Sequence, residues 1–279
     1  MAKLDYLSQK PIMITRDHSI QEVILKFLEN KISRLVVKES QSSMGIVTAK
    51  DIGLFLLHDD SEKSLDFIPV SDFVKPLVSI DRLTNIQKCA QIMIDKEIGS
   101  LGVTSAGTMT GIITKTDLVK YYEENCLGQN KVGNLMTSSY VFMNSDESLH
   151  KIISKMAEEN ISRVFLENKN NELEGILTIK DFFPLAMEKG HLNTLRYNDY
   201  PTSSVLHMGK GFGHTTLAKE IMNKNIVSID YENDAVTACT KMIQNKISGV
   251  GVKINEKTSG IISKTDVVKA LSKIEDYDC

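Results

Sequence analysis

From residue 12 onward the chain alternates between two hydrophobic periods. Ile12-Met13-Ile14 is a short apolar run that predicts a strand, and Asp17-His18-Ser19 follows it. Ser19 and Glu22 have capping-box spacing, and Ile20, Val23, Ile24, Phe27 and Leu28 then fall on one helical stripe. Arg34 to Lys38 and Gly45 to Thr48 read as two strands around the polar turn Glu39 to Ser43, a hairpin. A second apolar helix is predicted over Ile52 to Leu57. The unit is strand, helix, strand, strand, helix. Further along, Leu149, Ile152, Ile153 and Met156 form the same kind of stripe.

This pattern belongs to an internal repeat. Gly45-Ile46-Val47-Thr48-Ala49-Lys50-Asp51 recurs as Gly111 to Asp117, Gly175 to Asp181 and Gly260 to Asp266. Each copy reads Gly, two aliphatics, Thr or Ser, two variable residues, then Asp. Upstream, Ile32 to Val37 matches Ile161 to Leu166 through Ile-Ser-Arg, and Ile98 to Val103 matches Ile247 to Val252. The second and fourth copies align without a gap from Val78 and Val227 to Lys120 and Lys269. Duplication of an ancestral pair explains the odd–even likeness and groups the copies by chain order, 1 with 2 and 3 with 4. A repeat of about 55–60 residues buries only a modest share of its surface, so it needs a partner. The expected boundaries are 3–125 for the first pair (repeats 3–60 and 70–125) and 131–275 for the second (132–189 and 217–273). Asp59 to Lys63 and Glu123 to Lys131 are polar separators. An insert, 190–216, carries Gly209-Lys210-Gly211-Phe212-Gly213-His214, which fits neither phosphate-loop nor dinucleotide fingerprints and reads as a flexible loop.

Composition narrows the function. Lys and Arg total 33 against 36 Asp and Glu, a net charge of -3, which argues against a protein held to nucleic acid by its overall field. With no Trp and 6% aromatic residues, platforms for stacking single strands are scarce. No apolar run approaches about 18 residues, so no membrane span is expected. Met1-Ala2-Lys3-Leu4-Asp5 has no apolar signal core, and a cytoplasmic location is expected. Cys89, Cys126, Cys239 and Cys279 are far apart and form no CxxC pair, so reduced thiols and no zinc site are expected. His18, His58, His150, His191, His207 and His214 show no HxxxH or HExxH spacing, and no GxSxG elbow exists. The chain is therefore not expected to be an enzyme. Met93, Met156 and Met242 on the stripes, with Cys89 and Cys239 beside them, read as core.

With its Gly-aliphatic-aliphatic-Thr/Ser-x-x-Asp signature in four copies, each after an Ile-led apolar strand, the chain resembles proteins of four cystathionine-β-synthase-type (CBS) domains, arranged as two Bateman modules. The resemblance implies an α/β fold of four β-α-β-β-α repeats paired into two pseudo-twofold modules. It implies a regulatory adenosyl ligand (AMP, ADP, ATP or S-adenosylmethionine) in clefts between paired repeats. The motif Asp, here Asp51, Asp117, Asp181 and Asp266, would hold the ribose hydroxyls, with Thr48, Thr114, Thr178 and Ser263 near ribose and phosphate. The chemistry suits those roles: a carboxylate offers acceptors to a cis-diol, and a helix start favours a phosphate. Thr-x-x-Asp is equally a capping box in its own right, so the spacing leaves both roles open for each copy.

The resemblance also implies a phosphate contact for Arg34 and Arg163 at the strand start, where the planar guanidinium can bind bidentately. Ser100 and Gly249 replace them in the even copies. Lys50 and Lys180 precede the motif Asp, and Lys115 and Lys264 follow the hydroxyl residue, with a solvated face as the alternative role. Ser79 and Ser228 match a Thr that borders adenine in relatives, whereas Met13 and Phe142 stand there in the odd copies. Val36 and Phe165 occupy a place where many relatives have Pro. The function expected is a stand-alone regulatory module, homodimeric or with both modules in one disc, acting on a separate protein. The rival readings are an oligomerisation scaffold whose motifs are only caps, and a nucleic-acid-linked regulator.

Overall fold

The N–H of Glu22 donates to Ser19 Oγ at 3.2 Å, and the Ser19 N–H donates to the Glu22 carboxylate at 2.7 Å. This is the expected box, and α2 (Ile20–Glu29) runs from it with Ile20, Val23, Ile24 and Phe27 buried. The computed structural model describes residues 3–38, 44–59, 61, 63–187 and 216–274. The hairpin turn Glu39 to Ser43, the Gly209–His214 stretch of the insert and Cys279 lie outside the described residues.

Repeat 1 comprises β1 (Met13–Thr15), α2, β2 (Arg34–Lys38), β3 (Met44–Thr48) and α3 (Ala49–His58), after a short α1 (Lys3–Leu7). Repeat 2 comprises β5 (Ser79–Asp81), α4 (Ile86–Asp95), β6 (Ser100–Ser105), β7 (Thr108–Thr114) and α5 (Lys115–Asn125). Before it come two 3-10 turns, Leu65–Phe67 and Val70–Phe73, and a two-residue β4 (Lys75–Pro76). Repeat 3 follows α6 (Val132–Leu135) with β8 (Phe142–Asn144), α7 (Leu149–Glu158), β9 (Arg163–Glu167) and β10 (Leu173–Thr178). A 3-10 turn, Ile179–Phe182, and α8 (183–187) close it. Repeat 4 follows α9 (Ala218–Ile221) with β11 (Ser228–Asp230), α10 (Ala235–Gln244), β12 (Gly249–Ile254), β13 (Lys257–Ser263) and α11 (Lys264–Leu271). In every repeat the first strand runs parallel to the second, which pairs antiparallel with the third.

The predicted order holds, with local shifts. β1 lies one residue later than Ile12–Ile14, and the helix predicted from Ile52 begins at Ala49 because Thr48 is its N-cap. In repeat 3 the corresponding helix opens as a 3-10 turn. The separator expected from Glu123 is still helix up to Asn125.

Contacts gather the chain into two compact units that cut across chain order. Ile12–Pro76 with Val141–Asn225 unites repeats 1 and 3, while Leu77–Tyr140 with Ile226–Cys279 and Met1–Pro11 unites repeats 2 and 4. In the 1/3 unit, Phe27 stacks on Phe183 with ring centroids 6.0 Å apart. A Cβ on Gly53 in α3 would stand 2.5 Å from Ile179 Cγ2, so the helix needs glycine to approach repeat 3. In the 2/4 unit, α4 and α5 pack against α10 and α11 around Met93, Leu118, Tyr122, Met242 and Val268, all fully buried. Each such side chain contributes about 1.5–3 kcal/mol on burial, which a lone repeat forgoes.

Met93, Met156 and Met242 are core, as expected. Burial pushes the thiols of Cys89 and Cys239 up to about 12, which leaves them inert. Cys126 is buried and disulfide-bonded, which corrects the expectation that every thiol is reduced.

The segments ahead of each repeat's first strand have a structural role that the hydrophobic pattern did not assign. Gln9 pairs with Ile112, Lys75 with Ile46, Thr137 with Ile261 and Asn223 with Ile176, each adding antiparallel backbone bonds to a third strand. They thereby cover strand edges that would otherwise expose unpaired N–H and C=O groups. The motif glycine makes room: a Cβ at Gly111 would lie 3.0 Å from Ser8 Oγ, at Gly175 2.6 Å from Met222 Sδ, and at Gly260 2.4 Å from the Thr137 carbonyl oxygen. Because that last contact is backbone, Gly260→Ala is expected to destabilise the protein by about 1–3 kcal/mol through overpacking. A lowered urea midpoint with an unchanged m-value would record it.

Candidate functional site

In all four repeats the third strand delivers Thr or Ser as N-cap of the closing helical element, and Asp three residues on. The Asp carboxylate divides its oxygens the same way each time. In repeat 1 the Thr48 N–H and hydroxyl both donate to Asp51 Oδ2, at 3.0 and 2.5 Å. Thr114 does so to Asp117 Oδ2 at 2.9 and 2.7 Å, and Thr178 to Asp181 Oδ2 at 2.7 and 2.8 Å. Ser263 completes the set with Asp266 Oδ2 at 2.7 and 2.6 Å. The cap is therefore real in each copy, and it consumes only Oδ2. Oδ1, with two lone pairs, remains to accept hydroxyl donors.

What meets Oδ1 differs between copies. Lys75 Nζ lies 2.5 Å from Asp51 Oδ1, and the Thr137 hydroxyl donates to Asp266 Oδ1 at 3.2 Å. Asp117 Oδ1 has Lys120 at 3.9 Å on its own helix. Asp181 Oδ1 receives no donor among the described residues. Burial, the largest influence, raises the Asp181 carboxyl above 3.8 against the lowering pull of its Thr178 hydrogen bonds.

The basic residues singled out by sequence gather differently in the two units. Arg34 stands directly across the ladder from Thr48, and Arg163 from Thr178, in the register where Ser100 faces Thr114 and Gly249 faces Ser263. Lys180 is half-buried, and its ammonium is pushed below its usual value by burial, then by Arg163 and Arg34, with Asp181 opposing. Arg34, Arg163 and Lys180 thus share one electrostatic neighbourhood within the 1/3 unit. Lys50 bonds to Asn160 Oδ1 of repeat 3. In the 2/4 unit Lys115 donates to Thr265 Oγ1 and Lys264 to Thr116 Oγ1, both at 2.9 Å, a reciprocal pair that ties two helix starts together.

Two residues further along the second strand, Ser79 lies opposite Gly102 and Ser228 opposite Gly251. The odd repeats fill this place with Met13 opposite Val36 and Phe142 opposite Phe165, whose rings stack at 5.3 Å. Sequence reasoning missed Gln9, Lys75, Thr137 and Asn223. The available signal was an apolar pair spaced i, i+3 before each repeat: Leu4/Leu7, Val70/Phe73, Val132/Leu135 and Ala218/Ile221, with the polar residue two positions further on. Among the described residues no helix is long and apolar enough to cross a membrane, and no cluster of three or more His, Cys, Asp or Glu could hold a metal ion.

Four repeats of one strand–helix–hairpin–helix unit, each with the capped Asp, define the class. Residues 2–57, 70–124, 132–187 and 218–273 each match the CBS domain, and the chain belongs to the CBS-domain family. It is 21% identical to the uncharacterized protein MJ1404 of Methanocaldococcus jannaschii, over 97% of this chain but 62% of that protein, so it spans less than two thirds of that relative. An uncharacterized 33.4 kDa protein from a ribosomal RNA operon of Thermofilum pendens is 23% identical over 92% of this chain and 86% of its own length. The crystal structure of MJ1225 from Methanocaldococcus jannaschii has the same fold, with TM-score 0.80 and 18% identity over 95% of this chain and 98% of that one.

A raised carboxyl disfavours folding once ionised. The native state holds the Asp181 proton more tightly than the unfolded chain between 3.8 and the raised value, so this group's contribution to stability falls as pH rises through that window and stays low above it. Asp181→Asn keeps an acceptor for Thr178 and removes the charge. It is expected to match or exceed wild-type stability at pH 7, with this slope lost, in urea denaturation across pH 4 to 7. Thr178→Val, which removes the capping hydroxyl, should instead cost about 0.5–2 kcal/mol.

Proposed function

We propose that this protein is a regulatory sensor of adenosyl ligands. In both tandem modules, 3–125 and 131–275, the motif carboxylates receive ribose hydroxyls while Thr48, Thr114, Thr178 and Ser263 stand near ribose and phosphate. The observation that carries the reading is the division of oxygens: capping leaves Oδ1 of each Asp beyond the helix start, so cap and ligand contact are compatible. The shared neighbourhood of Arg34, Arg163 and Lys180 favours a phosphate in the 1/3 unit, hence AMP, ADP or ATP over the cationic sulfonium of S-adenosylmethionine. Lys50, Lys115 and Lys264 add positive charge at the helix starts. Ser79 and Ser228, with glycine across the ladder, suit the base in the even repeats. A ligand that binds one arrangement of the modules better shifts the population, and a separate protein, met by a cytoplasmic homodimer, reads the shift.

A thermal-shift panel tests this with AMP, ADP, ATP and S-adenosylmethionine, and GTP as control. A ligand at a hundredfold excess over its Kd stabilises the folded state by about 2.7 kcal/mol, or roughly 5 °C and more for a chain of this size. An adenine nucleotide is expected to give that rise, with part of it lost in Asp117→Asn or Asp181→Asn. Four satisfied caps also suit a scaffold that binds nothing. No rise with any ligand at millimolar concentration selects that second reading.

A further inference from the structure

The residue of each pre-repeat segment that pairs with the third strand occupies one equivalent position, five residues beyond the first apolar anchor: Gln9 after Leu4, Lys75 after Val70, Thr137 after Val132 and Asn223 after Ala218. Its backbone is fixed by the ladder, so its side chain decides what this segment brings to the motif Asp. Lys75 reaches across and takes Asp51 Oδ1 at 2.5 Å. Thr137 reaches Asp266 Oδ1 with a hydroxyl at 3.2 Å. The other two turn elsewhere: the Gln9 amide donates to the Leu7 carbonyl at 3.4 Å, and Asn223 Oδ1 accepts the Asn225 N–H at 2.9 Å.

We propose that this position sets which repeats accept a ribose, and that Lys75 is an internal cation occupying the diol-binding oxygen of repeat 1. The inference rests on the ribose-binding role proposed for the motif Asp. A ribonucleotide entering repeat 1 must first displace the ammonium, because both oxygens are committed, Oδ2 to Thr48 and Oδ1 to Lys75. Repeat 4 carries a weaker version, since a neutral hydroxyl yields more readily than a charged donor. Repeats 2 and 3 keep Oδ1 clear of this position and fill first. The four motifs, alike in sequence, therefore form a graded series. Lys75 is a positioning residue for occupancy and does not itself hold the ligand.

The sign of the effect separates this device from general electrostatics. Lys75 is largely exposed, with its side chain 69% accessible, and by field alone its removal weakens anion binding. Here removal opens a carboxylate and strengthens it. The experiment is isothermal titration of the full-length chain with AMP, comparing wild type, Lys75→Asn, Asn223→Lys and the double variant. Lys75→Asn is expected to tighten the weakest site by up to about 5-fold, the upper end for loss of one exposed ion pair. Asn223→Lys should weaken a tight site by a similar factor, although it adds a positive charge to a phosphate binder. The double variant should exchange the two sites and restore a wild-type-like isotherm. Both variants lie on exposed positions, and Asn223→Lys creates no cavity, so it serves even if Lys75→Asn unfolds. Unchanged isotherms, or weaker binding by Lys75→Asn, overturn the proposal while leaving the sensor reading intact. Absence of AMP binding in every variant and in wild type overturns the sensor reading and this proposal with it.

Discussion

A carboxylate three residues into a helix has two oxygens, and in each repeat one is spent on the N–H and hydroxyl of the residue that opens the helix. Asp51, Asp117, Asp181 and Asp266 all make that commitment through Oδ2. The helix start, the end of the third strand and the direction of the remaining oxygen are thereby fixed together. If the cap were made by a separate residue, the motif Asp could rotate, and no common geometry would run through the four copies. The same geometry explains why capping and ligand contact cannot be told apart by residue spacing. Both uses demand a hydroxyl residue and an acid at this separation, and one side chain serves both.

The second constraint is the close approach of the segments that precede the repeats. At Gly260 the Thr137 carbonyl leaves no room for a side chain, and at Gly111 and Gly175 the Ser8 and Met222 side chains crowd the same place. A motif glycine can be read as a turn residue or a phosphate cradle; here it is a flat place on a strand against which another strand lies. The asymmetry among the copies enters at this contact too, because the arriving residue is Gln, Lys, Thr or Asn while everything beneath it repeats.

Much of this was legible beforehand, for identifiable reasons. The Ser19–Glu22 box and the stripe from Ile20 to Phe27 are local, and local rules predict them. The four motifs announce themselves by repetition. The association of repeat 1 with repeat 3 was not legible, since chain order and the odd–even likeness both suggest adjacency. Only the meeting of Phe27 with Phe183, and of Gly53 with Ile179, shows which apolar faces find each other. The 3-10 start after Thr178 has a local cause instead: Pro184 lacks the N–H that an α-helix would bond to the Lys180 carbonyl, which takes the Phe183 N–H. Lys75 was overlooked because a lone lysine reads as solvated until a strand pairing brings it to a carboxylate.

The partnership of distant repeats has a consequence during synthesis. Ile24, Phe27 and Ile52 of repeat 1 belong to a core completed by Ile152, Phe182 and Phe183. The ribosome delivers those residues roughly 130 positions later, an interval of about 6–25 s at ordinary elongation rates. Throughout it, the first repeat presents a greasy helix face with nothing native to cover it, next to a second repeat in the same condition. Contacts of such long sequence separation also close slowly, since loop entropy is lost before any contact is gained. The nascent chain is thus most exposed to misassembly and to holding chaperones when half made, and a ribosome that stalls after repeat 2 leaves two open cores.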